Sequence, residues 1–152
     1  MSIEGLNRLE VWKKAIEFAV FVHHDILPLL PTEEKWVLTD QLRRASQSVP
    51  ANIAEGYGRY YYQDNIRFCY IARGSLEESL SHVVFAHKVN YISPTLFAEV
   101  NQKGEELVRL INGYIAYLKQ SKRGENEPGA NLIIREAHAL YNLDLIESSP
   151  NE

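Results

Sequence analysis

Apolar residues recur at three- and four-residue steps along almost the whole chain, and that spacing admits one kind of secondary structure. Leu9, Trp12, Ile16, Ala19, His23 and Leu27 form one series, with Val11, Ala15, Phe18 and Val22 beside it. An α-helix turns once every 3.6 residues, so residues spaced in this way share a face. Strands need a two-residue alternation, and no Asn-Gly or Asp-Gly hairpin turn separates two alternating runs here.

The helix ends are legible from proline, glycine and capping residues. Pro28 and Pro31 close a first helix over about residues 8–27. Thr32 is the expected N-cap of a second helix over about 33–56, with Glu33 and Glu34 suiting the positive end of its dipole. Leu38, Leu42, Ala45, Val49 and Ile53 form its buried stripe. Pro50 lies inside this run and should kink the helix rather than end it, and Gly56 and Gly58 supply the stop. A third helix starts near Gln63-Asp64 and carries Phe68, Ala72, Ser75, Ser79, Val83 and Ala86 on one face. Ser93 and Pro94 cap and open a fourth over about 94–121. Lys122 to Gly129 reads as a polar linker, and Leu132 to Tyr141 as a short, loosely attached C-terminal helix. The expected fold is all-α: an antiparallel up-and-down four-helix bundle over residues 1–122, with 123–152 as linker and extension.

Composition narrows the class of function. At 152 residues, one domain is expected, and nine Tyr, five Phe and two Trp exclude disorder throughout. Cys69 is alone, which excludes an internal disulfide and any zinc site with two thiolates. A net charge of −4 supplies no global basic field for a polyanion. Met1 to Arg8 has no apolar stretch behind a basic start, and the apolar run Phe18 to Val22 is far shorter than the roughly 20 residues of a membrane span. A cytoplasmic protein with no membrane contact is expected.

Arginine usage is the most informative local feature. Residues 36–87 contain no Lys but hold Arg43, Arg44, Arg59, Arg67 and Arg73, with Glu55, Glu77 and Glu78 as candidate acidic partners. Arg is suited to sites where a planar fork meets a carboxylate or phosphate, or stacks on a ring. The near-balance of charge favours ion pairing between helices and subunits over phosphate binding. Tyr57, Tyr60, Tyr61 and Tyr62 around Arg59 form an aromatic and cationic cluster that suits a protein interface first and base stacking second. Gly74 lies mid-helix, where it costs about 1 kcal/mol relative to Ala. Close helix approach around Gly74 and Ser75 is the expected reason. No catalytic or cofactor-binding constellation emerges. Cys69 sits between Phe68 and Tyr70 as a core residue would, no Glu-x-x-His pair is present for a di-metal site, and Ser46 and Ser48 have no nearby His.

Three blocks in order carry a family resemblance. They are Leu9 to Ala15, Gln41 to Arg59 (QLRRASQSVPANIAEGYGR) and Arg67 to Glu78 (RFCYIARGSLEE). Together they resemble the four-helix-bundle family named from 23S rRNA intervening sequences, over about residues 8–120. The resemblance implies an up-and-down bundle that assembles as a homo-pentameric ring. The family is also similar to the accessory variability determinant of diversity-generating retroelements, which binds nucleic acid and a reverse transcriptase. The expectation is a non-enzymatic assembly or adaptor protein without a cofactor, which contacts RNA or DNA through an Arg-lined surface. The alternative is a structural oligomer with a protein partner and no nucleic-acid binding.

Overall fold

A computed structural model describes residues 3–126, so the C-terminal helix expected at 132–141 lies outside the described residues. Five α-helices occur in it, and the described residues contain no strand. A single-turn α1 (Ile3–Leu6) precedes four longer helices: α2 (Glu10–Phe21), α3 (Leu38–Tyr57), α4 (Tyr62–Lys88) and α5 (Pro94–Ser121). Helix α3 packs on α4, α4 on α5, and α2 on both α3 and α5, so the four close around one core. Neighbours run antiparallel. Ser48 on α3 meets Ser75 on α4 at 2.9 Å, whereas Gly56 near the end of α3 abuts Asn65 and Phe68 near the start of α4.

The core is built from one stripe of each helix. Phe18, Val22, Leu42, Val49, Ile53, Leu76, Val83, Val100, Leu107 and Ile111 are almost wholly buried. Along the first helix the Val11, Ala15, Phe18, Val22 series lies in that core, and of the neighbouring series Ala19 is buried while Leu9 and Trp12 pack against the core's edge. The neighbouring series stays partly open: Trp12 is half-buried, and Ile16 and Val20 are exposed. One bundle interior cannot cover a stripe wider than its own seam, so the second apolar stripe of α2 is left on the flank.

Two ends differ from the sequence reading. The first helix tightens and loosens before its prolines stop it, passing through a π-helical turn at Val22–Ile26 and a 3-10 turn at Leu27–Leu29. Thr32 does not cap the second helix. Thr32–Glu34 forms a separate 3-10 turn, and α3 begins only at Leu38. The Glu34 carboxylate takes over, accepting from the Leu38 N–H at 3.4 Å and from the Tyr91 hydroxyl at 3.1 Å. Tyr91 belongs to the distant α4–α5 connection, so this partner was invisible in local sequence. By contrast α5 matches its expected bounds, with the Ser93 side chain accepting from the Leu96 N–H at 3.1 Å.

Close helix approach occurs at glycines other than Gly74. Gly74 is exposed, and a Cβ placed there would meet nothing within 4 Å. The expected contact at Gly74 is therefore wrong, although Ala72 and Ser75 beside it are buried. The tight positions are Gly56 and Gly104, where a Cβ would stand 2.7 Å from Asn65 Oδ1 and 2.5 Å from Leu80 Cδ2. Pro50 is buried inside α3, which continues through it to Tyr57.

Candidate functional site

The end of the bundle where α3 turns into α4 gathers six of the chain's nine tyrosines with Arg59 and Arg123. Helix α3 closes at Tyr57 with Gly58 as its cap, and α4 opens at Tyr62 four residues later. The chain leaving α5 crosses this end. Lys122 takes a left-handed conformation with φ 48°, and the Arg123 carbonyl then accepts from the Tyr62 N–H at 3.1 Å. Gly124, with φ 82°, packs against the Tyr61 ring, where any larger residue would collide.

The result is a pocket of about 200 Å³ lined by Tyr57, Arg59, Tyr60, Tyr61, Tyr62, Asn65, Tyr114, Tyr117 and Arg123, among others. The Arg123 guanidinium lies 4.9 Å from the Tyr60 ring centre, and Arg59 lies 5.0 Å from that of Phe68. Tyr60 and Tyr61 meet edge to face at 5.1 Å. Cation–π contacts of this kind are worth about 0.5–1 kcal/mol at exposed sites, so they orient the guanidinium groups more than they stabilise the fold. At the pocket floor Asn65 donates to the Tyr114 hydroxyl at 3.1 Å. Burial pushes the Tyr114 phenol up to about 12, against the opposing pull of the Asn65 amide. Burial, then the Glu125 carboxylate, also raises Tyr62. Gln63 is buried, and its amide atoms find no hydrogen-bond partner of good geometry among the described residues. The amide is nonetheless near enough to the Tyr62 hydroxyl to oppose that rise.

Of the residues singled out in sequence, Tyr57, Arg59, Tyr60, Tyr61 and Tyr62 come together here, and the rest do not. Arg43 and Arg44 are exposed and lie about four turns earlier on α3. Arg44 pairs with Asp40 at 3.1 Å within its own helix. Arg67 is exposed on α4. Arg73 turns toward α5, donating to Asn112 at 2.8 Å with Tyr70 5.0 Å below it. Among the described residues no arginine pairs with Glu55, Glu77 or Glu78 across helices. Glu55 binds Arg59 locally at 2.7 Å, Glu78 lies 3.5 Å from His82, and Glu77 makes no ion pair among the described residues. Tyr114, Tyr117 and Arg123 complete the site. Tyr114 reads as a core residue in sequence and Arg123 as linker, so only the cluster Lys119, Lys122, Arg123 hinted at a basic end.

Other chemistries find no comparable setting among the described residues. No group of three or more His, Cys, Asp and Glu side chains is placed to hold a metal ion. Burial pushes the Cys69 thiol up to about 12, which leaves it a poor nucleophile. No helix is long and apolar enough to cross a membrane.

A helical chain with an aromatic, arginine-bearing end and the three ordered motifs defines its class by family. The family model described as "23S rRNA-intervening sequence protein" matches residues 7–113, and the chain belongs to that family. Among solved structures it is similar to a protein of unknown function from the S23 ribosomal protein family of Bacteroides thetaiotaomicron VPI-5482. The two share 26% identity and a TM-score of 0.64, over 69% of this chain and 97% of the other. No curated protein matches the chain.

Proposed function

We propose that this chain is a cytoplasmic, non-catalytic assembly or adaptor protein that forms a homo-pentameric ring and contacts RNA or DNA through its arginine–tyrosine end. The observation that carries the reading is the shared pocket of Arg59, Arg123 and Tyr60–Tyr62, in which planar cations and ring faces stand side by side. Stacked bases and phosphates use that combination without sequence preference. Rotational symmetry would repeat the pocket around one axis, which compensates for the absence of a global basic field. Ile71, Val84 and Phe85 on the exposed side of α4 supply the apolar surface for self-association.

Gel mobility shift with a structured RNA and a single-stranded RNA at two salt concentrations tests this. Phosphate contacts weaken steeply with salt, by roughly 0.7–0.9 in the log–log slope per contact. Binding that is absent, or insensitive to salt, leaves the second reading, a structural oligomer with a protein partner. That reading has its own support at the opposite end of the bundle, where Trp36 is 79% exposed beside the exposed Val37.

A further inference from the structure

The second apolar stripe of α2 forms one wall of a groove of about 490 Å³, and α3 forms the other. Trp12, Ile16, Ala19 and Val20 face Pro50, Ala51 and Ala54, with Leu6 at one end and His23, His24 and Gln47 at the other. An apolar channel of this kind, open along a bundle flank, has the shape of a seat for one more helix. The groove also has a polarity. Its Leu6–Ala54 end lies at the arginine–tyrosine end of the bundle, because Gly5 abuts the Tyr57 hydroxyl one turn beyond Ala54. Its far end carries one cation. Arg43 lies one turn before Gln47 on the same face of α3, is exposed, and makes no ion pair among the described residues.

We propose that the chain's own C-terminal segment, residues 132–146, docks as a helix in this α2–α3 groove. Three observations select that occupant. The first is where the described chain ends. After α5 it crosses the bundle end to Tyr60–Tyr62, next to the last turn of α3, and reaches Asn126. Residues 127–131 can span roughly 17 Å when extended, and they start from the bundle end at which the groove's near end lies.

The second is length and pattern. Residues 132–146 hold ten apolar side chains in fifteen, including Ile134, Ala137, Tyr141 and Leu145 at helical spacing. Fifteen helical residues extend about 22 Å, and the groove wall from Ala54 to Arg43 about 16 Å. The third is charge. Beyond residue 126 stand one basic residue, Arg135, and five acidic ones, Glu127, Glu136, Asp144, Glu147 and Glu152. All of the net charge of −4 therefore falls in this tail, and the remainder of the chain is neutral. A helix entering at the near end delivers Asp144 and Glu147 to the end that carries Arg43.

The test uses the full chain with Trp36→Phe, which leaves Trp12 in the groove as the sole tryptophan. Ile134→Asp with Tyr141→Asp in the tail should raise iodide quenching of Trp12 at least twofold. The same variant should speed tryptic cleavage after Arg135, the one tryptic site beyond residue 126, by tenfold or more. Val20→Glu, an exposed groove residue outside the core, should release the segment and give the same faster cleavage. Unchanged quenching and cleavage in the tail variant would overturn the proposal. So would Trp12 protection that rises with protein concentration and ignores the tail substitutions, since a second copy would then fill the groove.

Discussion

Gly56 lies against Asn65 with no room for a side chain between them. A Cβ at residue 56 would stand 2.7 Å from Asn65 Oδ1 and 3.0 Å from the Asn65 carbonyl oxygen. The second of these is backbone and cannot rotate away. Gly56→Ala is therefore expected to destabilise the fold by about 1–3 kcal/mol, as overpacking does. Gly74→Ala should do the opposite, because its Cβ meets open space and alanine favours the helix by about 1 kcal/mol. Urea denaturation of the two variants checks both signs.

Asn65 also ties the bundle end to α5. Tyr114→Phe removes the acceptor of its side-chain amide and leaves a buried donor unpaired, at about 1–3 kcal/mol. A variant as stable as the parent would show that the amide finds another partner.

Alkaline pH should unfold the chain early. Burial lifts Cys69 from its ordinary 9.0 to about 12, and Tyr114 from 10.0 to about 12. The folded chain keeps protons that the unfolded chain releases, so stability falls as pH rises from 9 toward 12. The slope for one such group approaches about 1.4 kcal/mol per pH unit. Cys69→Ala should flatten the portion between pH 9 and 10, and chemical denaturation across pH 8–11 measures it.

Arginine substitutions should separate binding from stability. Arg43→Gln with Arg44→Gln should change stability by less than about 1 kcal/mol, because the Arg44–Asp40 pair is solvent-exposed. Arg59→Gln with Arg123→Gln should weaken RNA binding and lower the salt slope by roughly 1.4–1.8. If the first pair abolishes binding and the second does not, the nucleic-acid surface lies along α3.

Self-association should depend on the outer side of α4. Phe85→Glu with Ile71→Glu places charges on exposed apolar positions and should yield a folded 17.5 kDa monomer by light scattering. A parent chain that is itself monomeric at micromolar concentration would remove the pentameric ring from the proposal.

The helices themselves were legible in the sequence. Periodicity, Pro28, Gly58 and the Ser93–Pro94 pair are local signals, and α5 matches its expected bounds because its cap and its core stripe both lie within a few residues of each end. Side-chain partnerships were not legible, because they depend on how faces are distributed after packing. Glu34 rather than Thr32 meets the start of α3, and its other carboxylate oxygen accepts from Tyr91, 57 residues away in sequence. Gly74 and Gly104 carry the same residue in similar helices, yet one faces water and the other faces Leu80. Tyr114 and Arg123 joined the arginine–tyrosine pocket because α5 ends beside the start of α4. Helical spacing determines which residues share a face; which face meets the core, a neighbour or solvent is decided by the packing of all four helices at once.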